Sequence, residues 1–421
     1  MLGILRRVAG RRHARLNERV RAADRLADDG YWEEARTVFR QALSREPENT
    51  AALRRLADLA QLDGRADEAK ALWHGLADLQ PERPDACLQI ARLSLRRGAS
   101  QEALAFAERA VHLAPPGRPH EIGHRARSLR DHLIRGEKDL GARHVAIGGM
   151  SFCGSTLLGF LLGGLPGVAN LGESHALIYR RKGDRAHSAD LEEAATETMV
   201  RCTSCRDAPC PVWTLGFRRN LADDPLDWYG KLAAQVGAPI VISSDKSHAK
   251  LSGLDPFGRH DLIVLFKSPG VAWTSARMRP HLSSDPAVYF ARWEREYARL
   301  LGDLPVRGRR IVLSFDAFRR APEAHLTRLT ELLDLPRSAD AELASVHSGQ
   351  HVIGGNQWTR RDMRVHGEEL AIRADDQREL HEDEARQVAN YEARSPVFAK
   401  LRNGHAKDFS DLGPTPDAGA N

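Results

Sequence analysis

The residues with the clearest chemical potential are Gly149-Met150-Ser151-Phe152-Cys153-Gly154-Ser155-Thr156, which end an apolar stretch and open the run Leu157 to Leu162. A tight turn between a strand and a helix aims backbone N–H groups and the positive end of the helix dipole at one point, where an anion can sit. The spacing is that of a phosphate loop, with one difference. A nucleoside-triphosphatase loop carries Lys where Ser155 stands, because a cation must clamp the β and γ phosphates. Here amides and the hydroxyls of Ser155 and Thr156 remain, equipment for an anion whose terminal group is less charged. Glycine-rich turns also serve packing, so the loop alone selects no ligand.

Other segments offer what the loop lacks. Lys246 follows Val241-Ile242-Ser243-Ser244-Asp245, and Lys267 follows Leu262 to Phe266, with Ser275 eight residues later. A Lys that ends an apolar strand must reach the rim of the sheet. Taken singly, each lysine reads as an ordinary solvated one; several such features at successive strand ends suggest a shared site.

The elements that must position them follow from the pattern. His144 to Gly149, Pro239 to Ser243, Asp261 to Phe266 and Arg310 to Phe315 read as buried strands. Helices are expected at Ser155 to Leu162, Gly270 to Arg279, Pro286 to Leu301 and Glu323 to Leu333. This alternation predicts an α/β domain with a parallel sheet covered on both faces, whose ligand site lies at the carboxyl ends of the strands.

The first third has a different texture. Gly30, Gly64 and Gly98 recur every 34 residues, as do Ala35, Ala69 and Ala103, and Pro47, Pro81 and Pro115. Such a period describes paired amphipathic helices that bury their apolar faces only by stacking, with glycine where helices cross and proline closing the second helix. These markers resemble the tetratricopeptide repeat over about residues 18–117, with a capping helix from Pro119 to Arg135. Arrays of this kind offer a concave surface to a protein or peptide partner, or serve as a wall packed on a neighbouring domain; both readings stand.

The chain has 421 residues, 42% hydrophobic, 28% charged and 6% aromatic, which excludes collagen-like, disordered and membrane-spanning classes. Sixty-two Lys plus Arg against 57 Asp plus Glu leave +5, too thin to announce a nucleic-acid partner. The excess gathers at Arg6, Arg7, Arg11, Arg12, Arg15, Arg19 and Arg21. Val145 to Gly172 carries no charge, but its glycines, Pro166 and Asn170 argue against a transmembrane segment. The expected organisation is a basic tail over 1–17, three repeats plus cap over 18–140, the α/β domain over 141–403 and a disordered tail over 404–421. A cytoplasmic location is expected, since the N-terminus lacks the apolar core and cleavage site of a signal peptide.

The second domain resembles the PAPS-dependent sulfotransferases, most closely bacterial members, some of which are fused to tetratricopeptide repeats. The likeness rests on Gly149 to Leu158, Gly172-Glu173 after Leu165-Pro166-Gly167, Ser243 to Lys246, Lys267 to Ser275, and His351-Val352-Ile353-Gly354-Gly355-Asn356. The resemblance implies sulfonyl transfer from 3'-phosphoadenosine-5'-phosphosulfate, without a metal, to an unidentified hydroxyl or amine acceptor. It assigns Gly154, Ser155 and Thr156 to the phosphosulfate, Lys267 and Ser275 to the 3'-phosphate, and Gly355, Asn356 and Arg360 to the block that closes over the nucleotide. Lys246 would stabilise the leaving phosphate, and Glu173 would take the acceptor proton, with His175 its competitor.

Two positions depart from the family. Phe152 stands where Arg is common, and Lys267 replaces an Arg, keeping the charge but losing the bidentate fork. The rivals are a P-loop kinase, which Ser155 opposes, and an inactive scaffold acting through its repeats. Trp273, Trp293 and Trp358 either line an acceptor pocket or pack a core. Cys202-x-x-Cys205-x4-Cys210 could begin a zinc site, but a fourth ligand at an obvious spacing is missing; a structural role in an acceptor-side insertion is expected, and no metal is assigned.

Overall fold

The computed structural model describes residues 2–28, 32–115, 121–136, 141–178, 202, 205, 209–224, 226–277, 285–336, 350–355 and 380–412. Seven helices open the chain: α1 (Leu2–Asp28), α2 (Trp32–Arg45), α3 (Thr50–Leu62), α4 (Ala66–Leu79), α5 (Pro84–Arg96), α6 (Ser100–Leu113) and α7 (Ile122–Arg135). They form three hairpins and a cap. The periodic alanines Ala35, Ala69 and Ala103 are fully buried, so the small side chain is what lets successive helices approach. Gly64 and Gly98 do not sit at crossings. They occupy the turns between paired helices at φ +75°, a left-handed conformation that costs glycine little. Asn49 starts α3 by accepting from the Ala52 N–H, and Pro84 starts α5 without a wasted donor. Residues 2–17, expected as a tail, belong to α1, whose Leu16 and Val20 are buried.

Among the described residues the second part holds five parallel strands, β1 (Arg143–Gly148), β2 (Val168–Gly172), β3 (Ile240–Lys246), β4 (Asp261–Phe266) and β5 (Arg310–Ser314), in the order β2-β3-β1-β4-β5. Every residue of β4 is buried, as a sheet covered on both faces requires. The helix α8 (Ser155–Gly163) follows β1, and further helices span Pro269–Ala276, Pro286–Ala298 and Pro322–Leu332. The edge strand β2 was not anticipated, because Val-Ala-Asn-Leu-Gly carries one β-branched residue; pairing with β3 makes it a strand. At the carboxyl end of the chain, Pro396–Asp408 is helical, Phe409 joins the core and Asp408 Oδ2 accepts from the Val312 N–H of β5 at 2.8 Å. The expected tail from 404 therefore belongs to the fold as far as Leu412; residues 413–421 lie outside the described residues.

The array is docked on the sheet domain. Leu16, Val20, Trp32 and Phe39 share one apolar cluster with Trp293, Tyr297 and Leu300. Beside it, buried Asp303 meets Arg92 Nη1 at 3.3 Å, His248 Nε2 at 2.8 Å and Gln61 Nε2 at 3.2 Å. Burial alone would raise the Asp303 carboxyl, but Arg92, His248 and Arg96 together outweigh it and hold the group well below the usual carboxylate range.

Candidate functional site

The loop 149–154 is folded tightly between β1 and α8. Phe152 and Gly154 both take positive φ, +68° and +99°. A Cβ on Gly149 would lie 2.4 Å from the Leu265 carbonyl, and one on Gly154 2.2 Å from the Phe315 ring. Glycine at both places thus permits an approach that any side chain would block. Ser155 and Thr156 follow in the first turn of α8, where backbone N–H groups have no intrahelical acceptor and the dipole favours anions.

β3 delivers Lys246 to the loop's edge. Gly148 pairs with Lys246, and the Gly149 N–H donates to the Lys246 carbonyl at 3.1 Å. Lys246 itself adopts φ +55°, a strained conformation for a long side chain of the kind that gathers at functional sites. Its Nζ forms an ion pair with Glu173 Oε1. Burial pushes the Glu173 carboxyl up, yet the ammonium groups of Lys246 and Lys250 and nearby His175 overcome this and hold it at about 2. The same balance raises Lys246: burial disfavours its charge and Glu173 restores it. Lys250 has less compensation, and burial lowers it.

The segment 350–355 closes the other side. Its Ile353 carbonyl accepts from the Glu173 N–H at 2.7 Å, and Ile353 bridges to Gly172. Gly354 at φ +69° lies against the Glu173 side chain, and Gly355 at φ +91° against Thr156. Lys267, just past β4, is 8% exposed and places Nζ 5.2 Å from the centre of the Phe315 ring that also limits Gly154. Cys153, whose thiol burial raises, feels both the Lys246 and Lys267 ammonium groups. Gly154, Ser155, Thr156, Glu173, Lys246, Lys267 and Gly355 are thus linked, directly or through Phe315 and Gly354, at the carboxyl edge of the sheet.

Asp245 is the residue the sequence reading passed over. Fully buried, it accepts from the His175 N–H (2.9 Å) and Nδ1 (2.8 Å) on one oxygen, and from Ser174 Oγ (2.7 Å) and Tyr229 Oη (2.8 Å) on the other. Burial raises its carboxyl, but His175 and Ser174 hold it at about 2. It fixes the segment after Glu173 to the end of β3 and holds the His175 ring by Nδ1. Lys250 and Phe315 were also missed. The signal for Asp245 was present: an acid between an apolar strand and a lysine needs donors nearby.

Not every expected residue converges. The Ser275 hydroxyl donates to the Val271 carbonyl of its own helix. Asn356, Arg360 and Trp358 lie outside the described residues. Trp273 and Trp293 are buried in the large core cluster, where packing accounts for them. The fourth partner missing from the cysteine spacing does arrive from afar: His351 Nδ1 faces Cys202, Cys205 and Cys210.

A sequence profile described as tetratricopeptide repeat matches residues 26–78. The chain is therefore a two-part protein, a tetratricopeptide-repeat array followed by a region with a five-stranded parallel sheet and helices. Among solved structures, one similar chain is a mutant O-GlcNAc transferase from Thermobaculum terrenum, 14% identical, at TM-score 0.27, over 60% of this chain and 46% of that one. The match spans less than half of that transferase, and a likeness at this level assigns no chemistry here. A search of curated proteins finds no match. No helix among the described residues is long and apolar enough to cross a membrane.

Proposed function

We propose that the second domain is a PAPS-dependent sulfotransferase. The observation that carries the reading is the ion pair of Glu173 and Lys246 at the edge of a lysine-free anion loop, with Lys267 held beside the same loop by Phe315. The loop amides and the hydroxyls of Ser155 and Thr156 would hold the phosphosulfate, and Lys267 the 3'-phosphate; Ser275 would join it only by turning its hydroxyl from the Val271 carbonyl, and Asn356 and Arg360 are expected further contacts. Without donor, Lys246 and Glu173 neutralise one another. Donor binding gives the ammonium a phosphate to meet and releases the carboxylate, whose basicity then rises toward that of an ordinary Glu. The acceptor oxygen attacks sulfur, the bond from sulfur to the phosphate oxygen breaks, Glu173 takes the hydroxyl proton, and Lys246 stabilises the charge left on phosphate.

One observation supports a second assignment of the base. Asp245 holds His175 by Nδ1, the arrangement that leaves Nε2 of an imidazole as the proton acceptor. Separate Glu173→Gln and His175→Asn variants distinguish the two, since the true base loses on the order of 10²–10⁴ in turnover while keeping nucleotide affinity.

The test is transfer of labelled sulfonate from PAPS to pooled hydroxyl acceptors without magnesium. Lys267→Ala should weaken PAPS about 10- to 100-fold, the worth of a charged hydrogen bond, and leave adenosine phosphosulfate nearly unaffected. Magnesium-dependent phosphoryl transfer would instead favour the kinase, and no binding of adenosine 3',5'-bisphosphate at millimolar concentration the scaffold.

A further inference from the structure

Cys202, Cys205 and Cys210 come from one short segment, and His351 begins the segment that closes the candidate active site. Their four ligand atoms lie within 4.8 Å of one another. His351 Nδ1 stands 3.4 Å from Cys202 Sγ, 3.3 Å from Cys205 Sγ and 3.4 Å from Cys210 Sγ. Hydrogen bonding does not explain this geometry. An imidazole Nδ1 carries either one hydrogen or one lone pair, so it can serve one sulfur, and three sulfurs share it. A tetrahedral metal does explain it: with Zn–S near 2.3 Å and Zn–N near 2.0–2.1 Å, sulfur and nitrogen ligands sit about 3.6 Å apart.

The surroundings suit a thiolate-bound cation. Three thiolates and a neutral imidazole around a divalent ion leave one net negative charge. The buried Arg218 guanidinium interacts with Cys202 and Cys210, and its Nε donates to the Trp213 carbonyl at 3.2 Å. The Trp213 N–H donates to Cys210 Sγ at 3.4 Å, and Trp213 Nε1 donates to the His351 carbonyl at 2.5 Å. Such second contacts orient ligands and offset thiolate charge.

We propose that Cys202, Cys205, Cys210 and His351 bind one structural zinc ion. Soft thiolates in a closed tetrahedral set favour Zn²⁺ over magnesium or calcium, and all four positions are filled by protein, so the ion activates no water. Its role is mechanical. Cys202 bridges to Ile353, two residues after His351, and Ile353 in turn accepts the Glu173 N–H. The ion therefore ties the cysteine segment to the strand-like stretch that sets Gly354 against Glu173 and Gly355 against Thr156. This holds whichever reaction the site performs.

The experiment uses the full chain, prepared under reducing conditions without a metal-affinity step and exchanged into one equivalent of zinc. Elemental analysis should find one zinc per chain, released by titration of three thiols with an organomercurial. Cobalt substituted for zinc should give the intense visible bands of a tetrahedral, thiolate-rich site. Cys205→Ser and His351→Ala should each lower zinc affinity at least tenfold. Chelation should speed amide exchange at 351–355 while the repeats stay protected. Zinc below one-fifth of an equivalent in the wild type, a six-coordinate cobalt spectrum, full zinc retention in both variants, or a disulfide among the three cysteines would each overturn the proposal. The wild-type metal content and cobalt spectrum decide the matter even if a variant fails to fold.

Discussion

Replacing Asp245 by Asn removes a charge and an acceptor from a carboxylate that carries four donors. His175 presents its N–H and Nδ1 to one oxygen, Ser174 Oγ and Tyr229 Oη present theirs to the other, and Asp245 has no exposure to water. An amide keeps one oxygen and turns an NH₂ group toward the remaining pair. Tyr229 can rotate its O–H away, but Ser174 Oγ already accepts from Trp228 Nε1 at 2.9 Å. At about 1–3 kcal/mol for each buried polar group left without a partner, the expected loss is about 2–4 kcal/mol. The charge gives a consistent figure. A carboxyl held at about 2 against its ordinary 3.8 corresponds to about 2–3 kcal/mol. Because the folded value lies below the unfolded one, this contribution is complete above about pH 5 and fades as pH falls toward 2. Urea unfolding of the wild type and Asp245→Asn should therefore show a gap of that size at pH 7 which narrows steadily below pH 4. A gap under about 0.5 kcal/mol, or one that persists unchanged into acid, would refute the anchoring role of Asp245.

Two further outcomes follow from the same contacts. Gly154→Ala puts a Cβ into Phe315 and holds alanine at φ +99°, so calorimetry should show adenosine 3',5'-bisphosphate binding weakened tenfold or more; Gly216→Ala, where a Cβ meets nothing, is the control, and equal affinity in both variants would remove the loop from the nucleotide site. Asp303→Ala leaves Arg92 and His248 buried without their carboxylate, a loss of about 3–5 kcal/mol. Calorimetric unfolding should then separate into array and domain transitions, whereas one unshifted transition would mean that the apolar contacts alone hold the two parts together.

By itself the sequence determined most of the elements and the glycine-rich loop after β1. Ala35, Ala69 and Ala103 at a fixed period, and β-branched runs alternating with helical ones, are local patterns, and local steric preference is enough to read them. Gly154, Ser155 and Thr156 were legible for the same reason: the turn, the helix start and the missing lysine are neighbours along the chain. What the tertiary structure alone decided depends on the order of strands. Placing β3 and β4 on either side of β1 brings Lys246 and Lys267 to the loop, and adding β2 beyond β3 sets Glu173 against Lys246. The zinc ligands show the limit most clearly, since His351 lies 141 residues from Cys210 and no spacing rule connects them. The reading of residues 404–412 as a disordered tail failed for a related reason: a polar segment folds there because Val312 and the core around Phe409 give it partners, and those partners lie far away in the chain.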